Sequence, residues 1–160
     1  MPRVTNEDVR YAVGVAPIDI NGGATGGDAV SMKNHDHLTI VIQCGVLGAA
    51  TPAVTLQQST AVAEGDGKSL GFSTMWTNAA DIGSTDLVKT AVTSDTFDIA
   101  ATADGGMYII EVPGDTLDAD NNFDVVSVQI ADPSTSQLVA VLYILSGAKS
   151  FLNSPDVLVD

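Results

Sequence analysis

The sequence predicts an all-β fold, an antiparallel β-sandwich of jelly-roll-like topology with about eight strands. The last third contains three β-rich runs separated by turn-forming residues, at positions 106–112, 123–130 and 137–145. Hydrophobic residues make up 45% of the 160-residue chain, yet aromatic residues make up only 5%. This composition, in which Ala and Val dominate, is typical of a small-residue β-protein and not of a coiled coil or a disordered chain.

The first predicted strands follow a glycine-rich segment. Residues 21–27 hold four glycines in seven positions, which indicates a loop and not a regular element. A short strand at 29–33 then leads through a turn at 34–36 to the β-branched run 38–44, which suits a buried strand. Residues 53–58 alternate apolar and polar side chains and predict the next strand.

The middle of the chain predicts one clear strand and two weaker ones. A tight turn at 65–68 precedes a strand at 70–77, whose even-numbered side chains share one face and include Trp76. Trp76 is expected to be a core or interface anchor. Residues 86–91 and 96–100 predict two weaker strands.

The last three runs are bounded by turn signals. Residues 107–112 end at a Pro-Gly-Asp turn, residues 125–130 alternate, and a Pro-containing turn at 132–136 leads to the run 138–145. With these runs the predicted strands recur about every ten residues, the spacing of a two-sheet sandwich.

The length fits a single domain. We place the β-sandwich at residues 27–147, between an N-terminal arm with the glycine-rich loop at 1–26 and a C-terminal tail at 148–160. Within the arm, residues 9–13 are predicted to form either a short helix or part of the extended arm. The first ten residues carry charges and no apolar signal region, so we expect synthesis in the cytoplasm without a secretion signal.

The chain is strongly acidic. Six Lys and Arg against twenty Asp and Glu give a formal net charge of −14 at pH 7. This charge repels a phosphate backbone and argues against nucleic acid as a partner, and no apolar run is long enough for a membrane span. A charged macromolecular partner would present a basic surface, while the plainer explanation is that the charge keeps an exposed protein soluble.

Candidate catalytic residues are few. The single cysteine, Cys44, lies in an apolar run and excludes an intramolecular disulfide, and the only imidazoles are those of His35 and His37. On an extended strand His37 and Cys44 would lie more than about 20 Å apart, so a Cys–His pair is not expected. No Gly-x-Ser-x-Gly elbow is present. We therefore predict no enzyme activity and no cofactor.

One acidic segment is a candidate metal-binding loop. Asp118, Asp120, Asn122 and Asp124 alternate as the oxygen ligands of a calcium loop do. Phe123, however, stands where an EF-hand needs glycine, and the glutamate that should follow is missing. A solvated turn whose side chains bond their own backbone is the alternative that we favour, so no metal site is predicted.

Several segments together resemble a family of small proteins encoded in the head-gene modules of tailed bacteriophages and prophages. They are GDAVSMKNHDHLTIV (27–41), TLQQST (55–60), GKSLGF (67–72), LDADNNFD (117–124) and VLYILSG (141–147). The resemblance covers the chain from about residue 27 to residue 147. Such proteins are similar to capsid cement or decoration proteins, which dock on the outside of an assembled shell.

The resemblance implies a structural role on the outer capsid surface of the virion. The implied partners are the major capsid protein of the phage head and further copies of this chain, as a dimer or trimer, and no catalytic residues are implied. Contact residues are expected in the arm and the tail, where the apolar candidates are Val4, Val9, Tyr11, Phe151, Leu152 and Leu158. These side chains could equally pack over the edges of the sandwich itself. A host-surface or carbohydrate-binding module is the alternative function, and a small hydrolase ranks third.

Overall fold

The computed structural model describes residues 9–46, 48–78, 86–101 and 104–149. Within these ranges the chain forms twelve β-strands, two short 3-10 turns and no α-helix. The strands are β1 (Arg10–Asp19), β2 (Thr25–Gly26), β3 (Val30–Ser31), β4 (His35–Cys44), β5 (Ala53–Ser59), β6 (Lys68–Ser69), β7 (Thr74–Thr77), β8 (Val88–Ala91), β9 (Thr96–Asp98), β10 (Met107–Pro113), β11 (Val125–Ile130) and β12 (Leu138–Ala148). The 3-10 turns, Gly114–Thr116 and Ala119–Asn121, lie between β10 and β11.

The strands form two antiparallel sheets. Sheet A has the order β1-β12-β4-β10-β7-β8, and sheet B has the order β2-β11-β5-β6, with β3 also pairing with β11 and β9 with β5. β2 and β3 can be counted as one strand, and β6 and β9 as another, because each pair lies beside the same neighbouring strand. The four strands β1-β12-β4-β10 of sheet A then face the four strands β2/β3-β11-β5-β6/β9 of sheet B. This arrangement is an eight-strand jelly roll, which β7 and β8 extend at one edge of sheet A. The predicted all-β sandwich is confirmed. The strand count exceeds the prediction because β1, β2 and β6 form in segments that were predicted as the arm, the glycine-rich loop and the tight turn.

The core lies between the inner faces of the two sheets. Alternate residues of β4, β10 and β12 face alternate residues of β5 and β11, as strand periodicity requires. Those with no more than 2% of their surface exposed include Leu38, Ile40, Ile42, Val54, Leu56, Ile110, Val126, Val128, Ile130, Val141 and Leu145.

Two buried tyrosines join the sheets through their hydroxyl groups. Tyr143 on β12 accepts a hydrogen bond from the Val128 backbone N–H at 3.1 Å. Tyr108 on β10 accepts one from the Ala100 N–H at 2.9 Å. Gly14 on β1 lies against the Tyr143 ring, and a Cβ atom at this position would lie 2.6 Å from Cε2 of the tyrosine. The absence of a side chain at Gly14 therefore lets β1 pack closely on the core.

The N-terminal region differs from the prediction. Residues Arg10–Asp19, assigned to an arm, form β1 and pair with β12 along its whole length. The helix alternative for residues 9–13 is therefore wrong, and sheet A begins before the predicted boundary at residue 27. Register shifts on both sides of Val15 interrupt the alternation that would have indicated a strand.

The predicted strand at 70–77 is also wrong in part. The chain leaves sheet B after β6, crosses the sandwich through residues 70–73 and enters sheet A as β7. Leu70 is buried and its N–H donates to the Leu56 carbonyl at 2.9 Å, while Met75 and not Trp76 faces the core. The crossing rotates the strand, so the two ends of this segment do not share one face.

Candidate interaction surface on the outer face of sheet A

The residues considered for catalysis have structural roles that are separate from one another. Cys44 is 1% exposed, and burial raises the pKa of its thiol to about 12, so the thiol is protonated at neutral pH. The His37 imidazole Nε2 bonds the Glu111 carboxylate of the neighbouring strand β10, and the Thr39 hydroxyl donates to the same carboxylate oxygen at 2.8 Å. His37 is therefore engaged by Glu111.

His35 lies at the start of β4 and not in the predicted turn. It is 5% exposed, and its Nδ1 atom is buried without a hydrogen-bond partner among the described residues. Burial lowers the pKa of His35, and the positive charges of Arg10 and Lys149 lower it further. His35 is thus a buried imidazole whose protonation is unfavourable.

The acidic segment considered for calcium forms a turn. Asp118 accepts hydrogen bonds from the Lys68 ammonium and, at 2.9 Å, from the Asn121 amide, and these contacts lower its pKa. Asn122 adopts the left-handed conformation with φ 63° and ends the second 3-10 turn. Asp118, Asp120 and Asp124 do not converge, since the described part of the chain contains no group of three or more His, Cys, Asp or Glu placed to hold a metal ion.

Most of the predicted contact residues cannot be compared with the structure. Val4, Phe151, Leu152 and Leu158 lie outside the described residues. Val9 is half-buried directly before β1, and Tyr11 is 53% exposed on β1. No helix within the described ranges has the length and apolar character to cross a membrane.

The outer face of sheet A carries a line of apolar side chains that crosses five strands. Val13 of β1 lies opposite Leu142 of β12, which lies opposite Val41 of β4. Val41 in turn lies opposite Ile109 of β10, and Ile109 lies opposite Trp76 of β7. Directly paired residues point to the same side of a sheet, so these five side chains form one row, which we call the apolar row.

The apolar row is accessible to solvent. Val13 is 50% exposed and the other four side chains are half-buried. On β1 and β12 the next pair, Tyr11 and Ile144, is also apolar, and the same line then passes through Thr39 of β4 and Glu111 of β10. Nothing in the described part of the chain buries this face to the level of the core.

Exposed apolar side chains also collect beside the row. The described residues include seven large exposed hydrophobic side chains, and four of them lie on β1 or at the start of β12: Tyr11, Val13, Ile18 and Leu138. A fifth, Val46, lies just after β4, and its carbonyl accepts a hydrogen bond from the Leu138 N–H. Sequence reasoning missed this surface. The signal was present, because β4, β10 and β12 read as nearly continuous apolar runs, which are typical of strands covered on both faces.

The outer face of sheet B has a different chemistry. Its paired positions hold hydroxyl and amide side chains, namely Ser127, Gln57 and Ser69 in one line and Gln129, Thr55 and Thr96 in the next. Gln129 donates to the Glu64 carboxylate at 3.3 Å, which places the loop at residues 60–67 over this face. Ser127 beneath it is only 2% exposed.

A groove of about 400 Å³ adjoins the apolar row at its Trp76 end. Its lining residues come from β7, β10, the crossing segment before β7 and the 3-10 turn Gly114–Thr116. Its apolar lining residues are Phe72, Trp76, Val112 and Pro113, and its polar lining residues are Ser73, Thr74, Glu111 and Thr116. On the neighbouring strand, Lys89 Nζ lies 5.8 Å from the Trp76 ring centroid.

Comparison with known proteins gives similarity only at the level of folds. No protein-family model and no curated protein matches the chain. Among solved structures, SPBc2 prophage-derived protein YomS is 12% identical, with a TM-score of 0.45 over 86% of this chain and 92% of that one. A chain of infectious bursal disease virus, Gx strain, is 12% identical with a TM-score of 0.43, over 89% of this chain but 32% of the viral one. This chain thus spans about a third of that viral protein. Likenesses this distant carry no argument about activity or partners.

Proposed function

We propose that this chain is a structural virion protein, a cement or decoration protein that binds the outer surface of a tailed-phage capsid and stabilises contacts between major capsid subunits. The observation that carries the proposal is the apolar row, from Val13 to Trp76, on an otherwise acidic protein. Contiguous exposed apolar surface is typical of interaction sites. The sequence resemblance to phage head-module proteins supplies the identity of the partner.

The size of the apolar surface fits a contact that is repeated over a lattice. Neighbouring strands lie about 4.8 Å apart, so the row is about 19 Å long, and with about 7 Å between successive rows on one face it covers on the order of 130 Å². A pair of proteins joined only by this area would be held weakly. A copy that contacts two neighbouring capsid subunits at once gains effective affinity, since the second contact is intramolecular.

The distribution of charge supports docking through this face. None of the five side chains of the apolar row is ionisable, and the net charge of −14 is carried elsewhere. Removing these five uncharged side chains from water costs no desolvation of a carboxylate within the row itself. The remaining acidic surface favours a partner with basic groups around its own contact area.

Stabilisation of the shell would follow from mass action. A protein that binds the expanded lattice, and not the unexpanded one, lowers the free energy of the expanded state by an amount that grows with its concentration over Kd. No chemical step is required. Self-association into a dimer or trimer would strengthen the effect by placing several docking faces on one particle.

A host-surface or carbohydrate-binding module is the second candidate. The groove beside the half-buried Trp76 favours it, because an aromatic ring with nearby hydroxyl and carboxylate groups is a usual setting for sugar binding. The apolar row has no role in that function, which is why we rank it lower.

The test is co-sedimentation of the purified protein with expanded, undecorated heads of the parent phage. We expect saturation at a fixed ratio to the capsid subunit and a higher melting temperature of the shell. Unexpanded heads serve as the control and should bind less. Absence of saturable binding to expanded heads would overturn the proposal, and sedimentation velocity of the free protein would measure its self-association.

A further inference from the structure

The groove beside the apolar row combines features that suit one kind of side chain. Its lining includes the apolar residues Phe72, Trp76, Val112 and Pro113, and Glu111 is the one ionisable residue among its described lining residues. An elongated aliphatic stem with a cationic head buries its stem against such walls and keeps its charge beside the carboxylate. The groove therefore has the chemistry of a pocket for a basic side chain.

Among the described residues, one carboxylate oxygen of Glu111 has no hydrogen-bond partner. Its Oε2 atom accepts the bonds from His37 and Thr39, and no described residue bonds its Oε1. The side chain of Glu111 is 32% exposed, so the second oxygen can be reached from outside. A carboxylate offers about four acceptor positions, and the two bonds already made fix the group in place without using them all.

We propose that this groove receives an arginine side chain of the protein on which sheet A docks, with Glu111 as the acceptor and the Trp76 and Phe72 rings as walls. The inference deepens the proposed function, since it names the chemistry of the partner at that same face. Arginine fits better than lysine because its planar guanidinium can stack on an aromatic ring and bond a carboxylate through two N–H groups.

Charge complementarity supports this occupant. The chain has a net charge of −14 and only six basic residues, so its field attracts cations to any accessible carboxylate. Lys89 already lies within 5.8 Å of the Trp76 ring centroid, a distance at which a cation is still attracted to the ring. Lys89 is exposed, so it is not fixed in the groove.

The first experiment is a titration of the full chain with the peptide acetyl-Gly-Arg-Gly-amide, followed by fluorescence. Trp76 is the only tryptophan, so its emission reports the groove directly. We expect saturable binding with Kd on the order of 1 mM, as befits one side chain. The same peptide with citrulline in place of arginine has the same shape without the charge and should bind at least about tenfold more weakly.

Two variants with the same change in net charge separate the site from the general field. Glu111→Gln should weaken binding of the arginine peptide about tenfold, because a charge-assisted hydrogen bond becomes a neutral one. Asp98→Asn removes one negative charge from an exposed position at the end of β9 and should leave Kd unchanged. Lys89→Met removes the competing cation and should tighten binding by a few-fold.

The outcomes separate this inference from the proposed function. Equal binding of the arginine and citrulline peptides, or equal binding by wild type and Glu111→Gln, overturns the arginine pocket. Equal binding of wild type and Glu111→Gln to phage heads also overturns the arginine pocket, but it does not contradict the cement role. Peptide binding that depends on Glu111, without any binding to heads, supports the pocket and overturns the cement role. Saturable quenching by neutral saccharides, with no response to the arginine peptide, overturns the pocket in favour of the carbohydrate-binding module.

Discussion

Val41 on β4 and Thr55 on β5 have nearly the same shape and lie on the outer faces of sheets A and B, but one presents a methyl group where the other presents a hydroxyl. Both belong to central strands that contribute fully buried residues to the same core, among them Ile40 and Leu56. The core therefore does not dictate what the outer faces carry. A hydroxyl at Val41 would serve the fold equally well, so the apolar choice there points to a contact beyond the fold.

The two faces also differ in what lies over them. On sheet B, Glu64 contacts Gln129, and the loop that carries it is closed by Asp66, which accepts hydrogen bonds from both the N–H and the hydroxyl of Thr60. On sheet A, no described segment lies over the apolar row. The polar face is thus covered within the chain and the apolar face is open, the reverse of what folding alone would favour.

The strongest way to break this comparison is to give sheet A the chemistry of sheet B. Replacing Val41, Ile109 and Leu142 together by Thr keeps strand propensity and removes apolar contact area. At about 1 kcal/mol for each position, head binding should weaken on the order of 100-fold. Co-sedimentation with expanded heads measures the loss, and thermal melting checks that the variant is folded.

A matched triple variant on sheet B provides the control. Replacing Thr55, Gln57 and Thr96 by Ser changes the same number of outer-face positions, and binding to heads should remain as in the wild type. If both triple variants lost binding equally, docking would not be specific to sheet A.

A second variant tests how β1 is attached to sheet A. Gly14→Ala places a methyl group 2.6 Å from a carbon of the buried Tyr143 ring, which cannot move freely. Overpacking of this kind costs about 1–3 kcal/mol, so the free energy of unfolding should fall by that amount. Chemical denaturation measures it. Gly23→Ala, where nothing lies within 4 Å of the added carbon, should be near neutral. Equal stability of the two variants would contradict the close packing of β1 on Tyr143.

The sequence predicted the two-sheet sandwich because most of its strands are marked by local signals, namely apolar or alternating runs bounded by turn-forming residues. The side chains of the run 125–130, for example, alternate along the chain. Turn-forming residues flank this run on both sides, and it forms β11. β1 was missed because Gly14, Pro17 and two register shifts disturb its period, and its pairing with β12 joins residues more than 100 positions apart. Such pairing depends on the whole chain and leaves little trace in a short window.

The interaction surface was predictable only in part. The sequence predicts Tyr11 as a contact residue on an arm, whereas the structure places it on strand β1 of sheet A, where it is exposed. The apolar row needs the register of five strands at once, since Val41 and Trp76 become neighbours of Ile109 only through pairing. The groove needs the crossing before β7, which the sequence predicted as a continuous strand.

Sheet A should also respond to low pH, because it contains the buried imidazole of His35. Its pKa is lowered in the folded state, so the unfolded state binds more protons, and stability should fall as pH drops through about 6.5. The slope is at most about 1.4 kcal/mol per pH unit for one proton. Denaturant titrations between pH 8 and pH 5 should show it. His35→Gln should remove it and His37→Gln should retain it, whereas an unchanged slope in His35→Gln would assign the titration to another group.

The smallest expected effect comes from uncovering sheet B. Hydrogen bonds from Thr60 lower the pKa of Asp66, so this contact is present above the ordinary carboxyl pKa and is lost as pH falls below about 4. Asp66→Asn should loosen the loop at neutral pH and speed hydrogen exchange of the β11 amides around Ser127, with Asp98→Asn as the control. Because the uncovered surface is polar, binding to heads should not increase. If uncovering sheet B did produce head binding, exposure and not apolar chemistry would be what distinguishes the two faces, and the docking role of the apolar row would have to be abandoned.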